Sequence, residues 1–376
     1  MIKRLYASNF RTLVNFELDF GPLTLLLGPN GSGKTTVFDV IRLVRDFLRG
    51  EMTTTDLFAT TTLTRWQQVE VQSFEITVAG QGGEFLYHLE VEHEASRQHC
   101  RVRTEKLTFD GKPLFESQLH ENRLTAQLYK DSGDPGPSVL TNWSRSTIAL
   151  IEPVPENQLM SWFKERMSRV VITQFNPALA GARAEKESPT LKWNASNFVA
   201  WFRHVTSLDL ELVGKLRPHL EDVVGGLVGL SLVPDGIDAK ILRAQFCVGK
   251  SPDSQGSSFF CRFDELSDGQ RVLLMLYTLL VAASEECTLC VDEPENFLAL
   301  REINPWLNML LDKTQTQTCQ AILISHHPEL IDALAVGAGR WVDRVADGHS
   351  RAQGISDDSS GLSVAELISR GWLHAQ

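Results

Sequence analysis

The segment GPNGSGKTT, residues 28–36, constrains the fold of this chain more than any other part of the sequence. It follows the apolar run LTLLL, which is typical of a buried strand, and precedes VFDVIRLVRDFL, whose apolar residues recur with helical spacing. Strand, glycine-rich loop and helix in this order form the context in which G-x-x-x-x-G-K-[ST] indicates a phosphate-binding loop. We therefore expect an α/β protein with a P-loop.

The residue types of this loop suit the chemistry of phosphate binding. Gly28, Gly31 and Gly33 let the backbone turn tightly, so that its N–H groups point at a β-phosphate. The N-terminus of the following helix adds positive potential at the same place. Lys34 can bridge the β- and γ-phosphates, and the Thr35 hydroxyl can bind Mg²⁺. The sequence therefore predicts a nucleotide site with Mg²⁺.

Composition excludes several classes of protein. Of the 376 residues, 43% are apolar and 22% are charged, as in ordinary globular proteins. The longest mostly apolar run, 272–283, is too short to cross a bilayer, and the start lacks the apolar core of a signal peptide. We therefore expect a cytoplasmic protein that does not contact a membrane.

Charge and cysteine content add two further expectations. A net charge of −11 disfavours a large nucleic-acid groove, although contact with nucleic acid stays possible. Among the short basic groups, Lys164, Arg166 and Arg169 are expected on a solvated face. Cys287 and Cys290 form a C-x-x-C without a second ligand pair, so we predict buried strand cysteines.

A second polar motif, LSDGQ at 266–270, begins another helical pattern, QRVLLMLYTLLVAA. Ser267 can serve simply as the N-cap of this helix. Alternatively, the Ser267 hydroxyl, the Gly269 N–H and the helix dipole can form a second anion site. Gly269 favours the anion site, because glycine costs about 1 kcal/mol relative to alanine inside a helix and capping does not require it.

Two apolar strands downstream end in residues suited to nucleotide hydrolysis. The first ends in Asp292, placed to hold Mg²⁺ through its water shell, and Glu293, placed to orient and deprotonate the attacking water. The second, 321–324, is followed by Ser325 and His326. His326 can donate a hydrogen bond to a γ-phosphate, and His327 is the alternative on the opposite side of the pleat.

GPNGSGKTT, LSDGQ, VDEPE and ISHHP in this order resemble the ABC-type ATPase heads of the SMC, RecF and OLD proteins. The opening IKRLYASNFRTLVNFELDF resembles the N-terminal strands of the same group, and the chain is especially similar to stand-alone bacterial AAA-family ATPases of phage-defence operons. The resemblance is strong over 1–90 and 260–345. It implies an α/β P-loop NTPase of ABC/RecF type, with a mixed sheet, an antiparallel β lobe and a mostly helical insertion.

The resemblance also implies roles for individual residues. In such heads two protomers face each other head to tail, so that Ser267 of one caps the γ-phosphate held by Lys34 of the other. Glu293 becomes the catalytic base, His326 the switch histidine, and Arg11 matches an N-terminal arginine that contacts nucleotide. The implied ATP-binding residues are Arg11, Asn30, Gly31, Ser32, Gly33, Lys34, Thr35, Thr36, Ser267, Gly269 and Gln270, and the implied Mg²⁺ ligands are Thr35, Gln72 and Asp292.

Three positions depart from the family pattern or leave it open. Asp268 stands where LSGGQ has glycine, so its charge must point away from the phosphate. The stretch after VDEP is ENFLAL, which makes Asn296 the candidate for a contact across the dimer. Gln72 is favoured as the Q-loop glutamine, with Gln68 and Gln67 as alternatives.

Between the two halves of the head, alternating strands divided by polar turns lead to a loop at 130–138 and then to helical patterns from about 156 to 225. We predict four regions. They are an N-terminal half of the head with the β lobe (1–120), an inserted, mostly helical subdomain (121–240), a C-terminal half of the head (241–345) and a tail (346–376).

The favoured function is a cytoplasmic ATPase that forms a homodimer or higher oligomer and gates a separate effector, such as a Toprim-type nuclease, in antiviral defence. A RecF-like repair ATPase acting directly on DNA is the first alternative, and it would need a basic surface. The ATPase subunit of a transporter is the second. Motor subunits of that class carry the P-loop and signature much closer together in sequence than 28–36 and 266–270 are here.

Overall fold

The computed structural model describes residues 1–94, 99–121, 123–249, 256–344, 348–355 and 362–370. They fall into two compact units, of which the first comprises Met1–Val170, Glu286–Leu289 and Leu330–Gln376 and the second Val171–Glu285 and Cys290–Glu329. The four predicted regions stay a prediction, and part of the predicted tail, 346–376, lies outside the described residues.

The described strands are β1 Ile2–Ser8, β2 Phe16–Asp19, β3 Leu23–Leu27, β4 Val71–Gly80, β5 Gly83–Glu94, β6 His99–Phe109, β7 Lys112–His120, β8 Arg123–Tyr129, β9 Pro135–Thr141, β10 Val170–Thr173, β11 Arg183–Ala184, β12 Leu227–Pro234, β13 Lys240–Val248, β14 Ser257–Arg262, β15 Cys287–Asp292, β16 Cys319–Ile324, β17 Gly339–Arg344 and β18 Ser350–Gly354. The helices are α1 Lys34–Arg49, α2 Thr54–Leu57, α3 Thr147–Leu150, α4 Gln158–Ser168, α5 Phe198–Leu208, α6 Leu212–Val223, α7 Asp268–Ala282, α8 Leu300–Gln315, α9 Pro328–Ala338 and α10 Val364–Ser369. None of the described helices is both long and apolar enough to cross a membrane.

An antiparallel sheet of eight described strands dominates the first unit, in the order β2-β1-β4-β5-β6-β7-β8-β9. Buried and exposed residues alternate along β4 and β5, as expected for strands with one face in the core. Two-residue turns at 81–82 and 110–111 join β4 to β5 and β6 to β7, and all four turn residues have positive φ. That geometry matches the twist of a tight hairpin. The predicted antiparallel β lobe is therefore confirmed.

The strand that leads into the P-loop belongs to a mixed sheet. β3 pairs in parallel with β17, with Leu25 opposite Gly339 and Leu27 opposite Trp341. β17 in turn pairs antiparallel with β18. This combination confirms the expected mixed α/β architecture, and it places the start of β18 next to the loop between β3 and α1.

Helix α1 is fixed to the antiparallel sheet by a chain of aromatic rings. Phe47 of α1 meets Phe58 at 5.8 Å between ring centroids, Phe58 meets Phe74 of β4 at 5.4 Å, and Phe74 meets Phe10 at 5.6 Å. All four rings are fully buried, and aromatic pairs of this kind add about 0.5–1.5 kcal/mol each beyond their area. The P-loop helix therefore has a rigid support.

The second unit is organised around α7. Nine consecutive residues of this helix, 272–280, are buried, so it is apolar on all sides and forms a core helix. The fully buried Trp306 donates its indole N–H to the Leu276 carbonyl at 3.0 Å, which joins α8 to α7.

β10, β15 and β16 lie side by side in that order, and every residue of β15 and β16 is buried. Cys287 and Cys290 lie in β15, so the prediction of buried strand cysteines is confirmed.

The inserted stretch contains more strand than its sequence predicts. The helical patterns form α4, α5 and α6, but β10, β11 and β12 also lie within it, and β9 occupies part of the predicted loop at 130–138. Most residues of β9 are exposed, and it pairs only with β8 at the edge of the sheet. A strand with proline and glycine and without buried alternation is typical of such an edge, and it gives no periodic signal in the sequence.

A buried carboxyl group in the β lobe should make the stability of the protein depend on pH. Glu105 of β6 is fully buried, and its oxygens accept hydrogen bonds from Tyr87 Oη at 3.0 Å, Ser146 Oγ at 2.5 Å and the Thr147 N–H at 2.9 Å. Burial raises its pKa from 4.5 to about 7, against the opposing effect of these hydrogen bonds. The folded state therefore holds this proton more tightly than the unfolded state does.

We predict that the free energy of unfolding falls as pH rises from about 4.5 through 7, and that Glu105→Gln removes much of this fall. The expected contribution is ~1–3 kcal/mol, since one pKa unit corresponds to about 1.4 kcal/mol. Urea unfolding at pH 5 and pH 8 measures it, with the exposed Glu84→Gln as the matched control. Equal pH dependence in Glu105→Gln and wild type would contradict the assignment.

Candidate functional site

The loop between β3 and α1 has a backbone that only glycine permits at two positions. Gly28 has φ 144°, and a Cβ there would lie 1.9 Å from the Val342 carbonyl oxygen. Gly33 has φ 110°, and a Cβ there would lie 2.7 Å from Ser350 Oγ. Both the positive φ and the close approach of β17 and β18 therefore require glycine.

Inside this loop the side chain of Lys34 folds back over the backbone. Its Nζ donates hydrogen bonds to the Gly28 carbonyl at 2.7 Å and the Pro29 carbonyl at 3.0 Å, and the residue is only 6% exposed. The ammonium is thus held at the centre of the turn. A cation in this position is suited to neutralise a phosphate that the loop encloses.

The donors of the loop are available for an anion. In the described chain the backbone N–H groups of Asn30, Gly31 and Gly33 donate no hydrogen bond. Ser32 Oγ is buried and also lacks a partner there. Asn30 and Gly31 are exposed, so water can satisfy their N–H groups, whereas a buried hydroxyl such as that of Ser32 is nearly always paired. Accessible N–H groups and an unpaired buried hydroxyl around one ammonium suit an anionic ligand. These residues fit the phosphates of a nucleotide.

Two hydroxyl groups that the sequence did not single out hold the loop from the other side. Ser350 Oγ donates to the Ser32 carbonyl at 2.6 Å and lies 2.9 Å from Thr12 Oγ1, and its N–H donates to the Thr12 carbonyl at 2.8 Å. Ser350 is fully buried. No motif could identify Ser350, because it lies 318 positions after Ser32 and reaches the loop only through the pairing of β17 and β18.

The predicted nucleotide contact Arg11 lies beside the first turns of α1. Its guanidinium pairs with Asp39 of α1 and lies 5.4 Å from the centre of the Phe10 ring. The side chain is 44% exposed, and the residue has φ 51°, which is uncommon for arginine. Contact between Arg11 and nucleotide stays a prediction.

Gln72, the favoured Q-loop residue, is fully buried in β4. Its Nε2 donates to the Asn9 carbonyl at 3.0 Å and to Thr62 Oγ1 at 3.1 Å, and its Oε1 lies 3.0 Å from His93 Nε2. Burial lowers the pKa of His93 to about 4, so this imidazole is neutral near pH 7. Binding of Mg²⁺ by Gln72 stays a prediction, and it would require Oε1 to leave His93.

The alternatives to Gln72 are more accessible. Gln67 is half-buried, and Gln68 is exposed. The described residues contain no group of three or more His, Cys, Asp or Glu side chains that could hold a metal by themselves. Mg²⁺ at this site would therefore take several of its ligands from phosphate oxygens and water, as it usually does.

In the second unit, the signature motif forms the start of α7. Ser267 is exposed, its Oγ accepts from the Gln270 N–H at 3.3 Å, and Gln270 Oε1 accepts from the Ser267 N–H at 3.1 Å. This is a capping box. Asp268 pairs with Arg271 of the same helix at 2.5 Å. This ion pair partly neutralises the negative charge of Asp268, which stands where the family pattern has glycine.

Close packing explains why position 269 is glycine, and the sequence alone could not reveal this. A Cβ at this position would lie 2.9 Å from the Phe297 carbonyl oxygen, in the loop after β15. The presence of glycine therefore does not by itself argue for an anion site. The Asp268 and Gly269 N–H groups nevertheless donate no hydrogen bond within the described residues, and they lie at an exposed helix start.

The predicted acidic residues end the buried strand β15. Asp292 is its last residue and is 4% exposed. Glu293 follows with φ 50°, its N–H donates to the Ile324 carbonyl at 2.8 Å, and its Oε2 accepts from Asn296 Nδ2 at 2.7 Å. A non-glycine residue at positive φ costs free energy and is common at functional sites. Asn296 thus orients the Glu293 carboxylate within the chain, while its contact across a dimer stays a prediction.

Glu295 is a further residue that the sequence analysis missed. Its Oε1 accepts hydrogen bonds from Ser325 Oγ at 2.6 Å and from the His326 N–H at 3.2 Å. Ser325 Oγ accepts in turn from the His327 N–H at 3.1 Å, and His327 Nδ1 accepts from the Glu329 N–H at the start of α9. His327 therefore caps a helix, whereas the side chain of His326 is exposed.

The predicted site residues fall into two sets. Arg11, Gln72 and the loop 28–36 belong to the first unit, whereas the signature, Asp292, Glu293 and His326 belong to the second. Within each set the contacts above hold the residues in a defined geometry. Their assigned roles stay predictions.

Comparisons with known proteins agree with this geometry. A family model described as the RecF/RecN/SMC N terminal domain matches residues 1–340. An SMC head bound to the C-winged helix domain of ScpA is 13% identical with a TM-score of 0.55, over 94% of this chain and 98% of that chain. An SMC head domain with an extended coiled coil, bound to the C-terminal domain of ScpA derived from Pyrococcus furiosus, is 11% identical with a TM-score of 0.54 and full coverage of both chains.

A curated relative is similar over a short segment. The OLD nuclease of Thermus scotoductus is 54% identical over 44 residues, which are 12% of this chain and 8% of that protein. The chain thus matches less than a tenth of that relative's length. Since the family model covers most of the sequence and the solved heads share its fold, the chain belongs to the RecF/RecN/SMC N-terminal domain family and has the α/β fold of an ABC-type ATPase head.

Proposed function

We propose that this protein binds and hydrolyses ATP in sites shared between two copies arranged head to tail. The observation that carries the proposal is the presence of two separate sets of unpaired backbone donors in one chain. One set surrounds Lys34 in the P-loop, and the other is the exposed start of α7 beside Ser267. When the first set of donors binds a γ-phosphate, some phosphate oxygens remain accessible. The second set of donors, on another copy of the chain, can bind these oxygens.

The central predicted residues have definite tasks in this mechanism. ATP and Mg²⁺ would be held by the P-loop N–H groups, Lys34, Thr35 and Asp292. Glu293 would take the proton of the attacking water, with Asn296 orienting its carboxylate. Ser267 and the Gly269 N–H of the second copy would stabilise charge on the transferred phosphoryl group.

Glu295 acts in this proposal as a positioning residue for His326. Its Oε1 fixes the backbone of His326 and the hydroxyl of Ser325, while its other oxygen, Oε2, is buried without a partner among the described residues. A buried carboxylate oxygen without a partner costs free energy. That cost is consistent with a geometry maintained for function rather than for stability.

The proposed biological role is to gate a separate effector, such as a Toprim-type nuclease, in antiviral defence in the cytoplasm. Support comes from the motif order shared with OLD-type heads and from the 44-residue similarity to an OLD nuclease. The SMC heads of similar fold are bound to ScpA domains in their solved structures, so heads of this type can carry partner proteins. A dimer that forms with ATP and separates after hydrolysis would transmit the nucleotide state to such a partner.

Replacing the proposed base tests the chemistry. Glu293→Gln keeps the shape of the side chain and the contact with Asn296, but it cannot accept a proton. We expect ATP affinity to be retained and turnover to fall by about 10²–10⁴, the usual contribution of a general base. Light scattering after size exclusion should then show an ATP-dependent dimer. Glu329→Gln is the control, and turnover at the wild-type rate in Glu293→Gln would exclude Glu293 as the base.

A pair of variants tests the role of Glu295. Glu295→Ala removes the acceptor for Ser325 and His326, whereas Glu295→Gln keeps Oε1 as an acceptor. We expect Glu295→Ala to lower kcat by roughly 10–100-fold with little change in KM, which corresponds to one or two charge-assisted hydrogen bonds. Glu295→Gln should retain most activity. Steady-state kinetics measure both, and an unchanged kcat in Glu295→Ala would contradict the positioning role.

Mixing two inactive variants tests the shared site. Lys34→Ala damages the P-loop and Ser267→Arg damages the signature, and in a head-to-tail mixed dimer both lesions fall in one site. Mixing equal amounts should restore up to about a quarter of wild-type turnover, because half of the dimers are mixed and each keeps one intact site.

Two controls make the mixing experiment decisive. Pull-down through different tags must show that mixed dimers form with ATP, and a covalently linked dimer with one intact site must hydrolyse ATP. If both conditions hold and the mixture stays inactive, each chain uses its own Ser267, and the shared-site mechanism is wrong.

A further inference from the structure

A cavity of about 550 Å³ opens within the first unit, at the C-terminal end of α1 and along α4. Its volume lies in the range of small-molecule sites. The cavity does not include the P-loop: Lys34 begins α1 and Arg49 ends it, which separates them by ~22 Å along a helix of this length. The polar and aromatic side chains that matter here are Arg45, Arg49, Ser161, Trp162 and Lys164.

The cations of this cavity are fixed in place by backbone oxygens. Arg45 donates to the Val170 carbonyl at 3.0 Å, Arg49 to the Ser168 carbonyl at 2.8 Å, and Lys164 to the Ile151 carbonyl at 2.7 Å. Each guanidinium keeps N–H groups for another acceptor, whereas Lys164 also donates to the Ala149 carbonyl at 3.1 Å and so keeps one N–H. The cationic groups are therefore pre-oriented around the space.

Carboxylates around the cavity offset part of this positive charge, and Glu51 raises the pKa of Arg49 and Glu152 that of Lys164 without forming an ion pair with them. Asp46 pairs with Arg45 at 2.8 Å and with Arg49 at 3.6 Å, so one negative charge serves two arginines. Glu165 lines the cavity but pairs with Arg169. Lys164 forms no ion pair with any residue that the structure describes.

Burial disfavours the cationic forms in this place. It lowers the pKa of Arg49 to about 10, with Arg45 as the second cause, and it lowers the pKa of Lys164. The expectation that Lys164, Arg166 and Arg169 form a solvated face is wrong, since Arg166 is 1% exposed and Lys164 is half-buried. An anion entering the cavity would offset the cost of these buried charges.

An aromatic wall is built into the same cavity. Trp162 stacks on Phe85 with ring centroids 5.1 Å apart and an angle of 22° between the planes. A Cβ at Gly80 would lie 1.9 Å from the indole ring, so β4 carries glycine where the ring lies against the strand. The position of Trp162 is thus fixed by two strands of the sheet.

We propose that this cavity binds a small phosphate monoester, with the phosphate at Arg49 and Lys164 and the organic part against Trp162. The pairing of two half-buried cations with a fixed indole ring favours a phosphate joined to a planar or apolar group over a bare inorganic ion. This site is independent of the proposed ATPase mechanism, because it lies at the opposite end of α1.

The probes for this site are AMP and inorganic phosphate, measured in a Lys34→Ala background so that the P-loop does not compete. Equilibrium dialysis should show one saturable AMP site, and AMP should change the tryptophan fluorescence. Trp162→Phe should abolish the fluorescence change, and inorganic phosphate should compete with AMP.

Arg49→Gln combined with Lys164→Gln should weaken the binding of AMP at least about tenfold. Lys112→Gln combined with Arg123→Gln, two exposed cations elsewhere on the sheet, should leave AMP binding unchanged.

A second variant leaves Arg49 and Lys164 in place, so their hydrogen bonds to backbone carbonyls are kept. Ser161 lines the cavity on α4, and Ser161→Glu places a carboxylate among the cations as an internal competitor, with Ser161→Gln as its neutral control. We expect Ser161→Glu to raise the melting temperature and to abolish AMP binding, while Ser161→Gln retains it. AMP binding that is equal in Ser161→Glu and Ser161→Gln overturns the proposal, and so does the absence of saturable AMP binding below about 10 mM.

Discussion

The geometry of the P-loop depends on how its carbonyl groups are satisfied. Lys34 takes the Gly28 and Pro29 carbonyls, and Ser350 takes the Ser32 carbonyl. With these oxygens bound from within the first unit, the N–H groups of the same loop are left for a ligand. The loop is therefore suited to bind an anion, because the fold occupies its acceptors rather than its donors. Loss of Ser350 would free a buried carbonyl and weaken this division.

The loop that follows β15 also makes several defined contacts within a few residues. Within five residues, Glu293 contacts Asn296, Glu295 binds the backbone of His326, and the Phe297 carbonyl lies against Gly269. Glu293 and Phe297 both have positive φ, at 50° and 72°. Such backbone strain persists only where surrounding contacts determine it. This short segment consequently contacts the backbone of His326 and the start of α7 and also carries the carboxylates.

Local patterns were sufficient to predict part of this site. The P-loop, the capped start of α7 and the acids after β15 each follow from a short motif next to a strand or helix, and the hairpins of the β lobe follow from alternation with two-residue turns. Ser350 and Glu295 could not be predicted, because their partners come from strands that pair only in the folded chain. For the same reason, Gly269 alone does not indicate an anion site. Its close approach to the Phe297 carbonyl requires glycine, and no local sequence pattern contains that contact.

The two ends of α1 explain why buried cations are tolerated at both. At its start, Lys34 donates hydrogen bonds to two carbonyl oxygens of the loop, which offset part of its charge. At its end, Arg45 and Arg49 lie near the negative end of the helix dipole and share Asp46, so part of their charge is already offset. Lys164 lies on α4 and has carbonyl oxygens but no carboxylate in contact among the described residues. Arg45, Arg49 and Asp46 thus leave one positive charge and Lys164 adds a second, so an anion in this cavity can be neutralised from both helices.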